Sequence, residues 1–302
     1  MYQPRQQNNA LAAALILFAT AFIAATTLMA KSLGTDTLGP ALPALQISHG
    51  RFLFAFIALS SVAAIVRPKL SKPRWRLHIA RTSFGWAGVT LMFASVAYIP
   101  LADATAISFL NPVFGMMLAI PLLREQVGRV RWSAAVLALI GALILLRPTP
   151  DSFQSAALLA LGAAMVMGLE LVFIKKLAGR ENPFQILLVN NLIGLCIATF
   201  AVLPVWQVPT GQQWALLAGI GLCMAVAQTC FVNAMARADA SFVAPFSYAT
   251  LIFAALYDAL FYGVRPDGVT YIGAGIILAG AFWLALREAR LKKPAPTAPT
   301  SV

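Results

Sequence analysis

Three charged residues lie inside long apolar stretches of this chain: Arg51, Glu170 and Asp258. A charge in hydrocarbon costs about 2.5–3.5 kcal/mol on insertion scales, so such residues are the first candidates for function. Arg51 either binds a solute carboxylate or clamps the free carbonyls of a helix end. Glu170 either meets a solute amine or a coupling proton, or serves structure close to Lys175 and Lys176, where an interface begins. Asp258 has Tyr257 and Tyr262 nearby and reads as an interface anchor in an aromatic belt. Asp103, Asp239 and Asp267 stand at predicted helix starts, where a carboxylate caps free backbone N–H groups.

Neutral polar groups interrupt the same stretches. Asn111-Pro112 and Ser247-Tyr248 are the best placed, and Pro112 frees a backbone carbonyl while kinking its helix. Gln228 and Asn233 are suited to a solute or to a neighbouring helix, and Asn190-Asn191 reads as packing glue. Covalent chemistry has little to work with. The two histidines, His49 and His78, exclude a histidine metal site. Cys223 and Cys230 are two helical turns apart, about 10 Å, too far to bridge; with Cys196 they read as small packing residues. No phosphate-cradling G-x-x-x-x-G-K-[ST] run occurs, so direct nucleotide drive is not expected. A lipid-modifying enzyme would need a nucleophile–base pair or a metal cluster. We expect no enzyme, no cofactor and no metal.

The elements that must position these residues are helices. Ten apolar runs fill the 302 residues, at about 10–33, 42–66, 79–99, 102–122, 132–147, 153–175, 184–204, 212–235, 240–263 and 268–286. Each approaches the roughly 20 residues that cross a 30 Å hydrocarbon layer. Sixty per cent of residues are hydrophobic and 11% charged, with mean hydropathy +0.82, far from soluble composition. The fold class expected is an all-α integral membrane protein with ten transmembrane helices.

A net charge of +12 would suit nucleic acid, but its placement points to a bilayer and to no nucleic acid. With the N-terminus in the cytoplasm, Arg5, the Arg67–Arg81 set, Arg124, Arg129, Arg131, Lys175, Lys176, Arg180, Arg237 and the Arg287–Lys293 group all fall inside. Only Lys31, Arg147 and Arg265 fall outside. This bias over short loops predicts both termini cytoplasmic. Residues 288–302, basic and then proline-rich, are expected to be a disordered, lipid-facing tail.

The two halves also repeat. Asp103 aligns with Asp239 and Gly85 with Gly221 at an offset of 136; Gln46 aligns with Gln185, Arg51 with Asn190 and Gly141 with Gly280 at 139. We divide the chain into repeats 1–148 and 149–287. Five spans per copy is odd, so the second copy enters from the opposite side. Inverted repeats are the build of alternating-access transporters.

The chain resembles the drug/metabolite transporter superfamily, in particular its ten-helix EamA-type exporters. The resemblance covers nearly the whole chain and rests on Ala104 to Phe114, Arg124-Glu125, Gly141-Ala142, Arg51 within Gly50-Arg51-Phe52, Ala244 to Tyr248, and Arg265-Pro266-Asp267 with Gly273 and Gly280. It departs at Val264, where the family usually has glutamate, and at Asp258, where it usually has a small residue. The resemblance implies a central cavity between spans one, three, four, six, eight and nine, with five and ten packed at the side. Ala134, Ala138 and Ala142, and Gly275 and Ala279, suit that side contact, or a dimer surface.

On this reading the cavity residues are Trp86, Phe93, Tyr98, Asn111, Phe114, Glu170, Gln228, Ser247 and Tyr248, with Pro112 and Pro245 as kinks for gating. Arg51, on a helix outside the cavity, becomes a structural clamp. A wall with few fixed charges suits neutral or hydrophobic small molecules, and amino-acid exporters of the YddG type are a branch that it resembles. The expected function is therefore export of small neutral metabolites, above all amino acids, from the bacterial inner membrane. Efflux of drugs, purines or other metabolites is the alternative, and a proton acting through Glu170 is the candidate coupling partner.

Overall fold

The computed structural model describes residues 8–68, 70–123, 129–146, 155–177, 181–235, 237, 246 and 249–291. These form eleven α-helices: α1 (Asn9–Leu33), α2 (Ala44–Val66), α3 (Trp75–Val96), α4 (Leu101–Ser108), α5 (Asn111–Leu123), α6 (Arg129–Leu146), α7 (Ala157–Leu177), α8 (Pro183–Val202), α9 (Gly211–Met235), α10 (Ala249–Tyr262) and α11 (Gly268–Leu291). No strand occurs among the described residues. This follows from the solvent: hydrocarbon offers backbone groups no partner, so each run must bond internally.

The sequence also sets the ends. Asn8 Oδ1 accepts the Leu11 N–H at 2.9 Å, and Asn182 Oδ1 accepts that of Phe184 at 3.0 Å, with Pro183 as first residue of α8. Pro43 and Pro100 stand immediately before α2 and α4. Six helical segments are long and apolar enough to cross a membrane: Ala10–Leu33, Ala44–Val66, Leu101–Leu122, Ala157–Ile174, Phe184–Val205 and Gly211–Ala234. Ala249–Tyr262 and Gly268–Gly280 are apolar but shorter.

The fourth predicted span is broken. α4 ends at Ser108, and the Phe109 and Leu110 N–H groups bond back to Ala106 and Ile107 in a tight turn before α5 begins. Pro112 lies in the first turn of α5, where its missing N–H costs no bond. Its effect is thus a break two residues ahead of it, not a kink in a continuous helix. At the chain's end, α11 extends to Leu291, so 288–291 are helical; residues from 292 lie outside the described set.

Packing runs α3 on α7, α1 on α9, α6 on α11, α2 between α8 and α9, α5 on α7, and α10 on α1 and α4. Lipid gives helices no hydrophobic reason to associate, so close backbone approach carries the contact. A Cβ on Gly141 would lie 2.7 Å from Gly273 O and 2.9 Å from Ile277 N. The α6–α11 seam therefore uses Gly273 and Ile277. Gly275 and Ala279, expected at this contact, are exposed and face away, because they lie two residues round the helix. Phe18, Ile57, Phe200, Ile252, Leu260 and Phe261 are exposed large apolar side chains, as a lipid-facing surface requires.

Candidate functional site

α2, α3 and α7 bring three charged side chains together. Arg81 Nε of α3 lies 3.4 Å from Glu170 Oε1 of α7, and Arg51 of α2 is within electrostatic reach of both. Arg51 is 5% exposed and Arg81 7%, while the Glu170 side chain keeps 20%. The guanidinium of Arg51 lies over the Phe52 ring, 4.4 Å from its centroid. Nε and Nη1 of both arginines make no hydrogen bond among the described residues, nor does Trp86 Nε1.

Gly85 makes room for this group. A Cβ there would lie 2.8 Å from Glu170 Cδ and Oε1. One turn earlier, Thr82 Oγ1 donates to Asn190 Oδ1 of α8 at 3.1 Å, and Phe84 stacks on Phe173 with centroids 5.6 Å apart. The carboxylate is thus wedged against the backbone of α3 beside two cations. One negative charge faces two positive ones.

Arg81 is counted among the cytoplasmic basic residues by charge placement, at the start of the third predicted span. The structure buries it because α3 begins at Trp75, one turn before the apolar run, and its first turns pack against α7 and α8. Arg81 therefore stands as a second buried arginine near Glu170, beside Arg51. The missed signal was its spacing, one helical turn before Gly85 on the face toward α7.

Two further polar knots tie the ends. Lys31 Nζ of α1 lies 2.6 Å from Asp258 Oδ1, and Asp258 Oδ2 accepts the Leu101 N–H at 2.5 Å. Tyr262 OH and Ser32 Oγ are 2.8 Å apart, with Lys31 over the Tyr262 ring. Asp258 is 1% exposed. It is not an interface anchor: it caps α4 and pairs a buried lysine. At the other knot, His78 Nε2 and Glu181 Oε2 are 2.8 Å apart, and Glu181 accepts from Arg74 N–H and Gln185 Nε2. Burial pushes the Glu181 carboxyl up, but these bonds outweigh it and hold the group below the usual range. His78 is fully buried in α3.

The remaining candidates divide. Phe93 is 3% exposed within an apolar cluster with Leu33, Ile47 and Ile220, and Tyr98 is 75% exposed just beyond α3. Phe114 packs on the largest apolar cluster, and Asn111 O lies beside Gly168 of α7. Gln228 Oε1 accepts from Asn191 Nδ2 at 3.3 Å, joining α8 to α9. Asp103 accepts from Thr270 Oγ1 at 2.8 Å, and Asp267 caps α11 through Thr270 N–H. Pro245, Ser247, Tyr248 and Asp239 lie outside the described residues, as does the side chain of Pro112.

A sequence model described as the EamA-like transporter family matches the chain twice, over residues 10–147 and 154–286. A riboflavin transporter of Vibrio cholerae is 34% identical over 227 residues, 74% of this chain and 76% of that one. A riboflavin transporter of Rhizobium johnstonii is 34% identical over 271 residues, 86% of this chain and 87% of that one. An S-adenosylmethionine uptake transporter of Rickettsia bellii is 26% identical over 265 residues, covering 87% and 89%.

Proposed function

The chain belongs to the EamA-like transporter family, and from that premise we propose that it carries a small organic solute across the bacterial inner membrane by alternating access. It is a membrane transporter, not an enzyme. The proposal adds ten spans in two inverted repeats, 1–148 and 149–287, with both termini cytoplasmic. One observation carries it: the packing partners exchange between halves. α1 on α9 is mirrored by α7 on α3, α2 on α9 by α8 on α3, and α1 on α10 by α7 on α5.

The hydrogen bonds repeat the exchange. Gln46 Nε2 donates to Gln207 O at 2.6 Å, and Gln207 N–H returns to Gln46 Oε1 at 3.0 Å. Gln185 Oε1 accepts the Ser71 N–H at 2.6 Å. Each glutamine opens the second helix of its half and fastens the loop after the second helix of the other. Two packings of equal energy, related by swapping the halves, are what alternating access needs.

Riboflavin is the first solute to test, since two relatives at 34% identity carry that name. Export of neutral or hydrophobic amino acids is the second reading, favoured by Arg51 and Arg81 lying beside Glu170: partners for a carboxylate and an amine in one place. Trp86, Asn111, Phe114 and Glu170 are the wall residues proposed among the described ones. The test is flux by purified protein in liposomes, with labelled riboflavin and labelled aromatic amino acids, with and without a pH gradient. Saturable flux of one of them, lost in Asn111→Ala or Tyr248→Ala, is expected. A continuous leak of both, unsaturable and open to each side, overturns alternating access.

A further inference from the structure

We propose that Arg51 and Arg81 form a binding site for a single carboxylate of the carried solute, with Glu170 as the internal carboxylate that holds the site between substrates. The proposal rests on the second transport reading, a solute that bears a carboxylate; riboflavin bears none.

The argument begins with charge. Two guanidiniums and one carboxylate leave one positive charge unmatched at the α2–α3–α7 junction. A buried charge without a partner is costly, and removing one member of a buried pair is strongly destabilising. A purely structural clamp would end with its donors bonded to helix-end carbonyls. Here Nε and Nη1 of Arg51 and Nη1 of Arg81 have no hydrogen-bond partner among the described residues, and Arg81 Nε has only its 3.4 Å approach to Glu170, although both side chains are more than nine-tenths buried. These donors are matched in kind by a carboxylate, which accepts two parallel N–H bonds from a guanidinium.

The second argument is geometric. Glu170 is held near Arg81 at 3.4 Å, a contact too long to be a strong charge-assisted hydrogen bond. It is also the most exposed member of the three. An incoming carboxylate matches the positive charge that Glu170 leaves over, so binding lowers the net charge of the low-dielectric interior. Gly85 allows Glu170 to sit flat against α3; no side chain stands between the carboxylate and that helix.

The test uses the full-length protein in detergent and reads its unfolding temperature with benzoate, with benzamide and with phenyl phosphate at equal ionic strength. Benzoate is expected to raise it by roughly 2–4 °C near saturation, and benzamide to leave it unchanged. Arg51→Gln and Arg81→Gln each shift the half-saturating benzoate concentration upward by about tenfold, the scale of one charge-assisted bond. Arg81→Lys keeps part of the response. Because either glutamine variant can fail to fold, Glu170→Gln provides the independent arm: it removes the competing anion with little change of shape and lowers the half-saturating concentration about tenfold. Equal effects of benzoate and benzamide, or a Glu170→Gln protein no more responsive than the parent, overturn the proposal. A response to phenyl phosphate alone overturns the carboxylate assignment. Flux without a benzoate response leaves transport standing and removes this site; a benzoate response without flux does the reverse.

Discussion

At the scale of single residues, Gly85 and Glu170 depend on one another. Adding one methyl at 85 would place carbon 2.8 Å from the carboxylate, inside van der Waals contact. Gly85→Ala is therefore expected to push Glu170 from Arg81 and to destabilise the protein by about 1–3 kcal/mol, the usual cost of overpacking. Glu170→Asp, one methylene shorter, should restore much of that loss in the double variant; thermal unfolding of the four proteins measures it. Additive losses in the double variant would remove the steric account. Glu170 also carries the coupling hypothesis. Glu170→Gln is expected to transport without responding to an imposed pH gradient, and a response equal to that of the parent in liposomes would exclude it as the coupling group. The sequence pointed to Glu170 and Arg51 because a charge in an apolar run is conspicuous. Arg81 escaped because it follows Arg74 and Arg76 and looks like the end of a basic loop.

Elements are joined by the two end knots. Asp258 serves α10, the start of α4 and Lys31 of α1 together. Asp258→Asn leaves a buried ammonium unpaired and is expected to cost about 3–5 kcal/mol. The double change Lys31→Met with Asp258→Asn should cost less than Asp258→Asn alone, because no charge is then stranded. Chemical unfolding of the three variants tests this, and a double variant weaker than either single one would mean that packing, not charge, dominates there. Glu181 holds α8 to α3 through His78 and the Arg74 backbone. Its carboxyl titrates lower in the folded protein than in the unfolded chain. The stability it contributes is therefore complete above the ordinary carboxyl value of 4.5 and is lost as pH falls through the lower folded value. Between about pH 5 and 3, the parent should lose unfolding temperature faster than Glu181→Gln; parallel curves would contradict the linkage.

For the whole molecule, exchange symmetry makes a prediction that no single contact does. Gln46 fastens the loop after α8 and Gln185 the loop after α2. If the halves swap conformation during transport, Gln46→Ala and Gln185→Ala bias the two states in opposite directions. Accessibility of a single cysteine at position 170 to a membrane-impermeant reagent, in sealed vesicles of each orientation, reads that bias. A shift in the same direction for both variants would be inconsistent with exchange between inverted repeats.

What the sequence determined by itself is what local sums determine. Length, mean hydropathy and the positions of Asn, Pro and Gly placed the helices and most of their ends, since each apolar run must satisfy its backbone internally whatever its neighbours do. The spacing of Gln46 with Gln185, and of Gly85 with Gly221, marked the internal repeat. The tertiary structure decided which charges meet. Lys31 and Asp258 are 227 residues apart, and Arg81 finds Glu170 on another helix, in the other half. Such pairings depend on helix rotation and close approach, set by a glycine here and a stacked aromatic pair there, and periodicity leaves both undetermined. That is why Asp258 read as an anchor and proved to be a buried cap, and why Arg81, counted with the cytoplasmic basic residues, is buried beside Glu170.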